Sequence, residues 1–267
     1  MSNIFDINRF WNFLLYDLRR ARNNYGISML LLGLTPVIVY MVVEFFSLIF
    51  GNGVAELPDE LKFAALSVSA VVILLGFGSK VYGQLTEKRA GSDYLMIPAS
   101  TTEKWISLFL VTCVAAPVVL GVLLFVSDGL MGLIFPNSYG TRLFDSDFVH
   151  DIHNGFVGTD EFSFNLGALL TLQWMENILT FTLGAICFKR AKVAKTLFCV
   201  FALGMLVSLV LAIVAGSGNI DIDLLVDRFD SPARAANAIN WYLNITSFGI
   251  LALLLGGIFY RLRTIQH

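Results

Sequence analysis

The sequence predicts an all-α integral membrane protein, and three observations support this. Hydrophobic residues make up 57% of the 267 residues and charged residues only 14%, whereas a typical soluble domain carries about 25% charged residues. Six apolar segments are long enough to cross a bilayer as helices. Lys and Arg residues are distributed very unevenly between the loops that join these segments. A helical membrane domain accounts for all three features.

The six predicted membrane spans are separated by polar loops. In the second span the apolar core ends at Ser79, and the span reaches Leu85 if the side chain of Lys80 extends to the interface. Pro36 and Pro117 lie inside the first and third spans, where proline is expected to kink a helix. The spans comprise residues 27–50, 63–85, 105–126, 166–188, 196–215 and 241–260.

The positions of the basic residues predict the orientation of the chain. If the N-terminus is cytoplasmic, 14 of the 18 Lys and Arg residues lie in cytoplasmic segments. Basic residues are enriched in cytoplasmic loops. The prediction is therefore a multi-pass protein with both termini in the cytoplasm. The four exceptions are Lys62, Arg142, Arg228 and Arg234.

The segment before the first span predicts an amphipathic helix. Between Asp6 and Arg20, apolar residues recur with the spacing of one helical face, and Arg9, Asp17 and Arg19 fall largely elsewhere. Residues 1–26 are therefore predicted to contain a helix that lies along the inner membrane surface and positions the first span. The apolar positions are Ile7, Phe10, Trp11, Leu14, Leu15 and Leu18.

Two loops on the outer side are sizeable, at residues 127–165 and 216–240. Neither is large enough for an independent domain of ordinary size. In the second loop, Ser231 and Pro232 predict the start of a helix, with the serine as N-cap and the proline in the first turn. The chain is therefore predicted to form one membrane domain over residues 1–267.

The connector between the second and third spans predicts more structure than a simple loop needs. Gly91 permits an unusual backbone turn, Ser92 can cap a short helix, and Pro98 ends it. Ser100 and Glu103 then have the spacing of a capping box at the start of the third span. The prediction is a helix of one to two turns, roughly parallel to the membrane and held between two spans.

The same connector carries a motif made up of Glu87, Gly91, Ser92, Leu95, Pro98, Ser100 and Glu103. The pattern resembles the Glu-rich, Gly-Ser/Thr, Leu, Pro-x-Ser sequence between the second and third spans of ABC export permeases. These form the type-2 exporter superfamily, which includes drug, polysaccharide and antimicrobial-peptide resistance permeases. Six spans, cytoplasmic termini and a leading interfacial helix also fit that family. The Gly-to-Pro spacing is shorter here, and loop 216–240 is polar where the family often has apolar hairpins.

The resemblance implies a function for the connector. In such permeases this helix is the coupling helix, which docks on an ATPase subunit, and the N-terminal helix has a second ATPase-facing role. The chain would be a non-enzymatic permease subunit in the bacterial inner membrane, moving an amphipathic lipid, peptide, drug or glycan. ABC ATPase subunits and a second permease subunit would be its partners, with ATP and Mg²⁺ on the ATPase and no cofactor in this chain. The implied docking residues are Glu87, Arg89, Gly91, Ser92, Tyr94, Leu95, Pro98 and Glu103.

A different class of function remains open. The chain could be a non-transporting membrane scaffold or sensor that acts through its acidic outer loops. An intramembrane enzyme has less support, because no second carboxylate or histidine accompanies Glu176 at a plausible depth. An ATPase gene beside this one would favour the permease, whereas an isolated gene would favour the scaffold.

A polar group inside the fourth span is the second candidate site. Glu176 lies near the centre of that span, and Gln173 and Asn177 share its helical face at the i, i+3, i+4 spacing. Acidic residues inside a bilayer are costly and mark functional sites by default. The group predicts either a polar patch on a substrate path or a hydrogen-bonded cluster that holds helices together. Glu44, nearer the outer end of the first span, is a weaker candidate.

No metal, disulfide or nucleotide site is predicted. His150 and His153, with Asp147 nearby, lack a third ligand fixed by spacing. The three cysteines all lie in apolar segments, where they fit as small buried side chains. The segment from Gly76 to Lys80 lacks the spacing of a phosphate-binding loop.

Overall fold

The computed structural model describes residues 5–51, 57–86, 91, 94, 96–140, 142–145, 166–216 and 232–266. Within these ranges the protein is helical and contains no strand, which confirms the all-α prediction. A 3₁₀ turn at Gly83–Thr86, a π-helical segment at Leu110–Ala115 and a second 3₁₀ turn at Leu143–Asp145 complete the regular structure. The α-helices are α1 Ile7–Gly33, α2 Thr35–Phe50, α3 Asp59–Val81, α4 Thr101–Phe109, α5 Ala116–Ile134, α6 Pro136–Tyr139, α7 Leu166–Cys187, α8 Lys192–Gly216 and α9 Pro232–Gln266.

Helix α1 is one continuous helix that passes through the predicted boundary at residue 26. The Asp6 side chain caps it by accepting hydrogen bonds from the backbone N–H groups of Asn8 and Arg9. It continues without a break through Ile27 because nothing before Leu34 interrupts the helical hydrogen bonds. At Leu34 the chain bends by 45° into α2, which has Pro36 in its first turn. The kink predicted at Pro36 is therefore confirmed.

The buried face of α1 differs in part from the predicted one. Phe10 and Leu14 are buried as expected, but Ile7, Trp11 and Leu15 are exposed. The inward face instead follows Phe10, Phe13, Leu14, Asp17, Ala21, Tyr25, Met29 and Gly33. The exposed stripe recurs every four residues, so α1 presents apolar residues on two faces. A single-face pattern could not separate contact with the bundle from contact with lipid.

Most of the six predicted spans are long and apolar enough to cross a membrane. Among the described residues, four helical segments qualify individually, and the bent pair α1–α2 makes a fifth if it counts as one span. The six predicted segments all coincide with helices, but α7 at the fourth position does not reach the same apolarity. The protein is therefore an all-α membrane protein, and the membrane span at α7 stays a prediction.

Pro117 alters the third span without a sharp break. The six residues Leu110–Ala115 before it are π-helical, and the span then continues as α5 to Ile134. Proline lacks the N–H that would bond to the fourth residue before it, and a π-helical segment accommodates such a gap. The helix also runs eight residues beyond the predicted end at Val126, so the outer loop begins later than expected.

Helix α7 is packed against α3, α8 and α9. Close approach to α3 depends on Gly78, since a Cβ added there would lie 2.8 Å from the Cα of Thr182. Ile178, Leu179 and Ile186 belong to the main buried core. Enclosure of this face explains how α7 can carry Glu176, which is buried and would be costly against lipid. Most of α8, by contrast, is exposed on the bundle surface.

The C-terminal helix α9 begins at Pro232, in agreement with the predicted helix start. Its proposed N-cap Ser231 lies outside the described residues. The Trp105 indole donates a hydrogen bond of 2.9 Å to the Leu255 carbonyl, which joins α4 to α9.

The bundle has two ends. Arg9, Glu103 and Lys192 lie at one, called the basic end, and Lys62, Asp128 and Tyr139 lie at the opposite end.

Candidate functional site

The connector between α3 and α4 folds back against the end of α3. Gly91 is buried, and a Cβ added there would lie 2.6 Å from the Leu85 carbonyl oxygen. Only glycine lets the two backbones approach this closely. Gly91, Tyr94 and Met96 have helical backbone, and Pro98 lies outside any helix. The described residues thus include helical positions where the sequence predicts a short helix, followed by the predicted end at the proline.

Tyr94 anchors the connector in the interior of the basic end. Its side chain is only 1% exposed. The ring meets that of Phe13 edge-on at 5.7 Å, and the Arg20 guanidinium lies over it at 4.8 Å. Lys104 approaches the same ring, with its Nζ 5.5 Å from the ring centre. Tyr94 therefore joins α1 to α4.

The interior position of Tyr94 has two consequences. Burial raises the pKa of its hydroxyl well above the usual value, and the Asp17 carboxylate raises it further. The hydroxyl stays protonated, yet it has no hydrogen-bond partner in the described part of the chain. Helix α1 covers the side chain in this structure, and the contact of Tyr94 with a docking partner stays a prediction.

Glu103 ties the start of α4 to the start of α1. Ser100 and Glu103 form the predicted capping box, with both reciprocal hydrogen bonds present. The Glu103 carboxylate also accepts hydrogen bonds from the Asp6 backbone N–H at 3.0 Å and from Arg9 Nε at 2.8 Å. Arg9 Nη2 donates a further bond of 2.6 Å, which makes the ion pair bidentate.

The contact of Glu103 with a docking partner likewise stays a prediction, and in this structure the carboxylate bonds within the chain. Its side chain is fully buried, and four donors already satisfy the carboxylate. The residue instead fixes the first turn of α1 against the first turn of α4. The sequence analysis found half of its role, the local cap, and missed the longer-range half.

A second buried carboxylate, Asp17, lies deeper in the same end of the bundle. Its Oδ2 accepts hydrogen bonds from the Tyr82 hydroxyl at 2.8 Å and from the Ser107 hydroxyl at 2.9 Å. Oδ1 is buried without a partner among the described residues. Asp17 thus joins α1, α3 and α4 at one point.

Sequence reasoning placed Asp17 on the polar side of α1. The helical spacing of Phe10, Phe13, Asp17, Ala21 and Tyr25 carries the missed signal, because it places the acid in the middle of an apolar stripe. An acid in such a position is buried only when hydroxyl or basic groups meet it. Those partners lie far along the chain, so the stripe alone could not reveal them.

The exposed part of the connector is small. Met96 is 76% exposed, and Pro98 is exposed beside it. Gly91 is buried, so of the described docking candidates only Pro98 reaches the surface, and Met96 joins it. The remaining candidates, Glu87, Arg89, Ser92 and Leu95, lie outside the described residues.

The polar group of the fourth predicted span is not one cluster. Glu176 is 9% exposed, and its Oε1 is buried without a partner among the described residues. Gln173 is exposed, and the Asn177 amide donates to the Gln173 carbonyl within the same helix. Helix α7 therefore turns Glu176 alone toward the interior. A substrate path and a structural role both remain open for it.

Glu44 belongs to a separate network at the opposite end. It accepts a hydrogen bond from the Tyr40 hydroxyl at 3.2 Å, and that hydroxyl also contacts the Ser138 hydroxyl at 2.7 Å. Ser138 lies on α6, at the end of the bundle opposite the connector. The residue thus contributes to the attachment of α2 to α6.

Asp128 is the centre of this opposite end, and the sequence analysis did not single it out. Its carboxylate accepts hydrogen bonds from the Tyr139 hydroxyl at 2.6 Å and the Leu143 backbone N–H at 2.9 Å. Lys62 lies over the Tyr139 ring at 4.6 Å. Burial raises the pKa of Tyr139 well above its usual value, and the bond to Asp128 raises it further. This cluster fixes the segment after α5.

Other predicted features remain as expectations. His150, His153 and Asp147 lie outside the described residues. Within the described ranges, no group of three potential metal-ligating side chains is present. Comparison with known proteins gives no family: no protein-family model, curated protein or solved structure matches the chain.

The arrangement at the basic end has one physical property that bears on function. The connector, the start of α1 and the start of α4 are joined by aromatic contacts and buried hydrogen bonds into one packed unit. Lys192 attaches α8 to the same unit, because its Nζ donates a hydrogen bond of 2.6 Å to the carbonyl of Gly83 in the 3₁₀ turn. A force on the exposed surface of the connector would therefore act on several helices together.

Proposed function

We propose that the chain is the permease subunit of a transporter driven by separate ATPase subunits, with the basic end in the cytoplasm. The observation that supports this most is the position of Tyr94, which joins the connector to α1 and α4 while Met96 faces outward. The motif at Glu87–Glu103 and the distribution of basic residues favour the same orientation and role.

In the proposed mechanism, the ATPase contacts Met96, Pro98 and the undescribed residues beside them. Closure of the ATPase pair displaces the connector, and the contacts of Tyr94 and Glu103 pass that displacement to α1 and α4. ATP binding then favours one arrangement of the spans over another. An amphipathic lipid, peptide, drug or glycan would move along a path between this chain and a second permease subunit in the bacterial inner membrane.

The test uses one exposed and one buried position. Met96→Asp places a charge on the proposed docking surface without disturbing a buried contact. Thr264→Asp, at an exposed position near the end of α9, is the matched control for the added charge. Tyr94→Asp is unsuitable, because it would place an unpaired charge in the interior.

The measurement is purification of the tagged protein in mild detergent, with identification of bound subunits and assay of ATP hydrolysis. We expect a protein with a P-loop ATPase sequence to accompany the wild type and Thr264→Asp, and to be lost from Met96→Asp. Size-exclusion profiles check that all three proteins are folded. If no ATP-hydrolysing subunit accompanies the wild type, or if Met96→Asp retains it, the proposal is wrong.

A further inference from the structure

A long apolar groove runs along the surface of the bundle beside α1. Its volume is about 510 Å³, within the range of about 300–1,000 Å³ that is usual for small-molecule sites. Helix α1 forms one wall from Leu18 to Leu30, the π-helical segment and α5 form the other from Val111 to Leu123, and Phe77 lies between them. The rim residues Ile27 and Leu30 are largely exposed, so the groove opens sideways.

The length of the groove matches one leaflet of a bilayer. Twelve residues separate Leu18 from Leu30, which corresponds to about 18 Å along a helix. Half of a hydrocarbon core of about 30 Å is about 15 Å. The groove lies in the half of the α1–α2 span that precedes the bend. The groove is therefore about as long as one leaflet is thick.

The groove is wide enough for an extended hydrocarbon chain. A volume of about 510 Å³ over a length of about 18 Å gives a mean cross-section of about 28 Å², and the groove is open along one side.

Charge is confined to one end of the groove. Arg22 is its only charged lining residue, and it lies at the end nearest the basic end of the bundle. The side chain is exposed and forms no ion pair with a described residue. The polar atom of Tyr25 is already used, since its hydroxyl donates to the Val72 carbonyl. The groove thus combines an apolar length with one available cation at the membrane surface.

We propose that the groove binds one acyl chain of an anionic phospholipid, with the lipid phosphate at Arg22. The apolar walls cover the chain, the sideways opening leaves the second chain in the bilayer, and the guanidinium pairs with the phosphate. The site requires only that α1 lies in the membrane. It is therefore independent of the proposed transport function and of any ATPase.

Two substitutions address the two parts of the site. Gly26→Leu fills the groove, and the nearest atom to an added Cβ is Arg22 Cγ at 3.4 Å, so the new side chain has room. Arg22→Gln removes the cation. Gly121→Leu is the control for added volume, because nothing lies within 4 Å of its Cβ position. Arg19→Gln, exposed one turn earlier on α1, is the control for lost charge.

The measurement is native mass spectrometry of the delipidated protein, titrated separately with dioleoyl phosphatidylglycerol and dioleoyl phosphatidylcholine. We expect wild type to retain one phosphatidylglycerol more strongly than phosphatidylcholine. Arg22→Gln should weaken phosphatidylglycerol binding about fivefold, the usual worth of one basic residue near an anionic surface. Gly26→Leu should remove the tight adduct of both lipids, and the two controls should behave as wild type.

Three outcomes would overturn the proposal. One is lipid binding that is the same in Gly26→Leu as in wild type. Another is an equal effect of Arg22→Gln and Arg19→Gln, which would indicate general surface charge. The third is a change from dimer to monomer in Gly26→Leu with lipid adducts retained, which would assign the groove to a second copy of the chain. Size-exclusion profiles of all variants establish that each is folded.

Discussion

The hydrogen bonds of Asp17 give the sharpest test of how the basic end is held together. Tyr82 and Ser107 both donate to the same carboxylate oxygen, and all three side chains are buried. A hydrogen bond to a charged group contributes about 1.5–3 kcal/mol. We therefore expect Tyr82→Phe and Ser107→Ala each to lower the free energy of unfolding by about 2 kcal/mol.

The double variant is more informative than either single one. With both hydroxyls removed, the Asp17 carboxylate has no hydrogen-bond donor among the described residues. The loss in Tyr82→Phe/Ser107→Ala should therefore exceed the sum of the single losses by about 1–2 kcal/mol, as is common for residues of one network. Adding Asp17→Leu to the double variant should recover much of the lost free energy of unfolding, because the carboxylate left without donors is then absent.

The assay is reversible unfolding in mixed micelles by titration with a denaturing detergent, followed through tryptophan fluorescence. Tyr242→Phe is the matched control, since Tyr242 is exposed and its hydroxyl should contribute less than about 0.5 kcal/mol. Strict additivity of the two single losses, or a triple variant less stable than the double, would refute the reasoning. Additivity would mean that the two hydroxyls act independently, and a less stable triple variant would mean that the unsatisfied carboxylate is not the cause of the extra loss.

Two further predictions concern close packing and pH. Gly78→Ala should lower the free energy of unfolding by about 1–3 kcal/mol through overpacking against Thr182. Gly204→Ala is the control, because Gly204 has open space around it, and it should be neutral or slightly stabilising. The same detergent titration measures both variants. The raised pKa of Tyr139 means that above about pH 10 the unfolded chain releases a proton that the folded protein keeps. Stability should therefore fall as pH rises through that range, and less steeply in Tyr139→Phe; an equal slope would contradict the assignment.

Features fixed by neighbouring residues could be predicted from the sequence. The capping box at Ser100 and Glu103, the helix start at Pro232 and the kink at Pro36 all depend on groups within four residues of one another. Proline removes a specific N–H, and a serine or glutamate side chain satisfies one nearby. Such local effects act in the same way in any surrounding fold.

Features fixed by distant residues could not be predicted in the same way. The partners of Asp17 are 65 and 90 positions away, and the partner of Arg9 is 94 positions away. The apolar pattern of residues 7–18 fits contact with lipid and contact with protein equally well, so it could not show which of these residues face the bundle. Tyr94 was assigned to the surface for the same reason, since no local signal shows which helix covers it.

The buried acidic residues fall into two kinds. Asp128 receives a hydroxyl and a backbone N–H, and Asp17 receives two hydroxyls, so both carboxylates are used to attach one helix to others. Glu176 is different, because one oxygen of Asp17 accepts two hydrogen bonds, whereas the Glu176 carboxylate accepts none from a described residue and its Oε1 is buried. An unsatisfied acid in a membrane interior is costly and gives the fold nothing in return. Of the acids considered, Glu176 is therefore the one for which a role beyond helix attachment has the strongest physical argument.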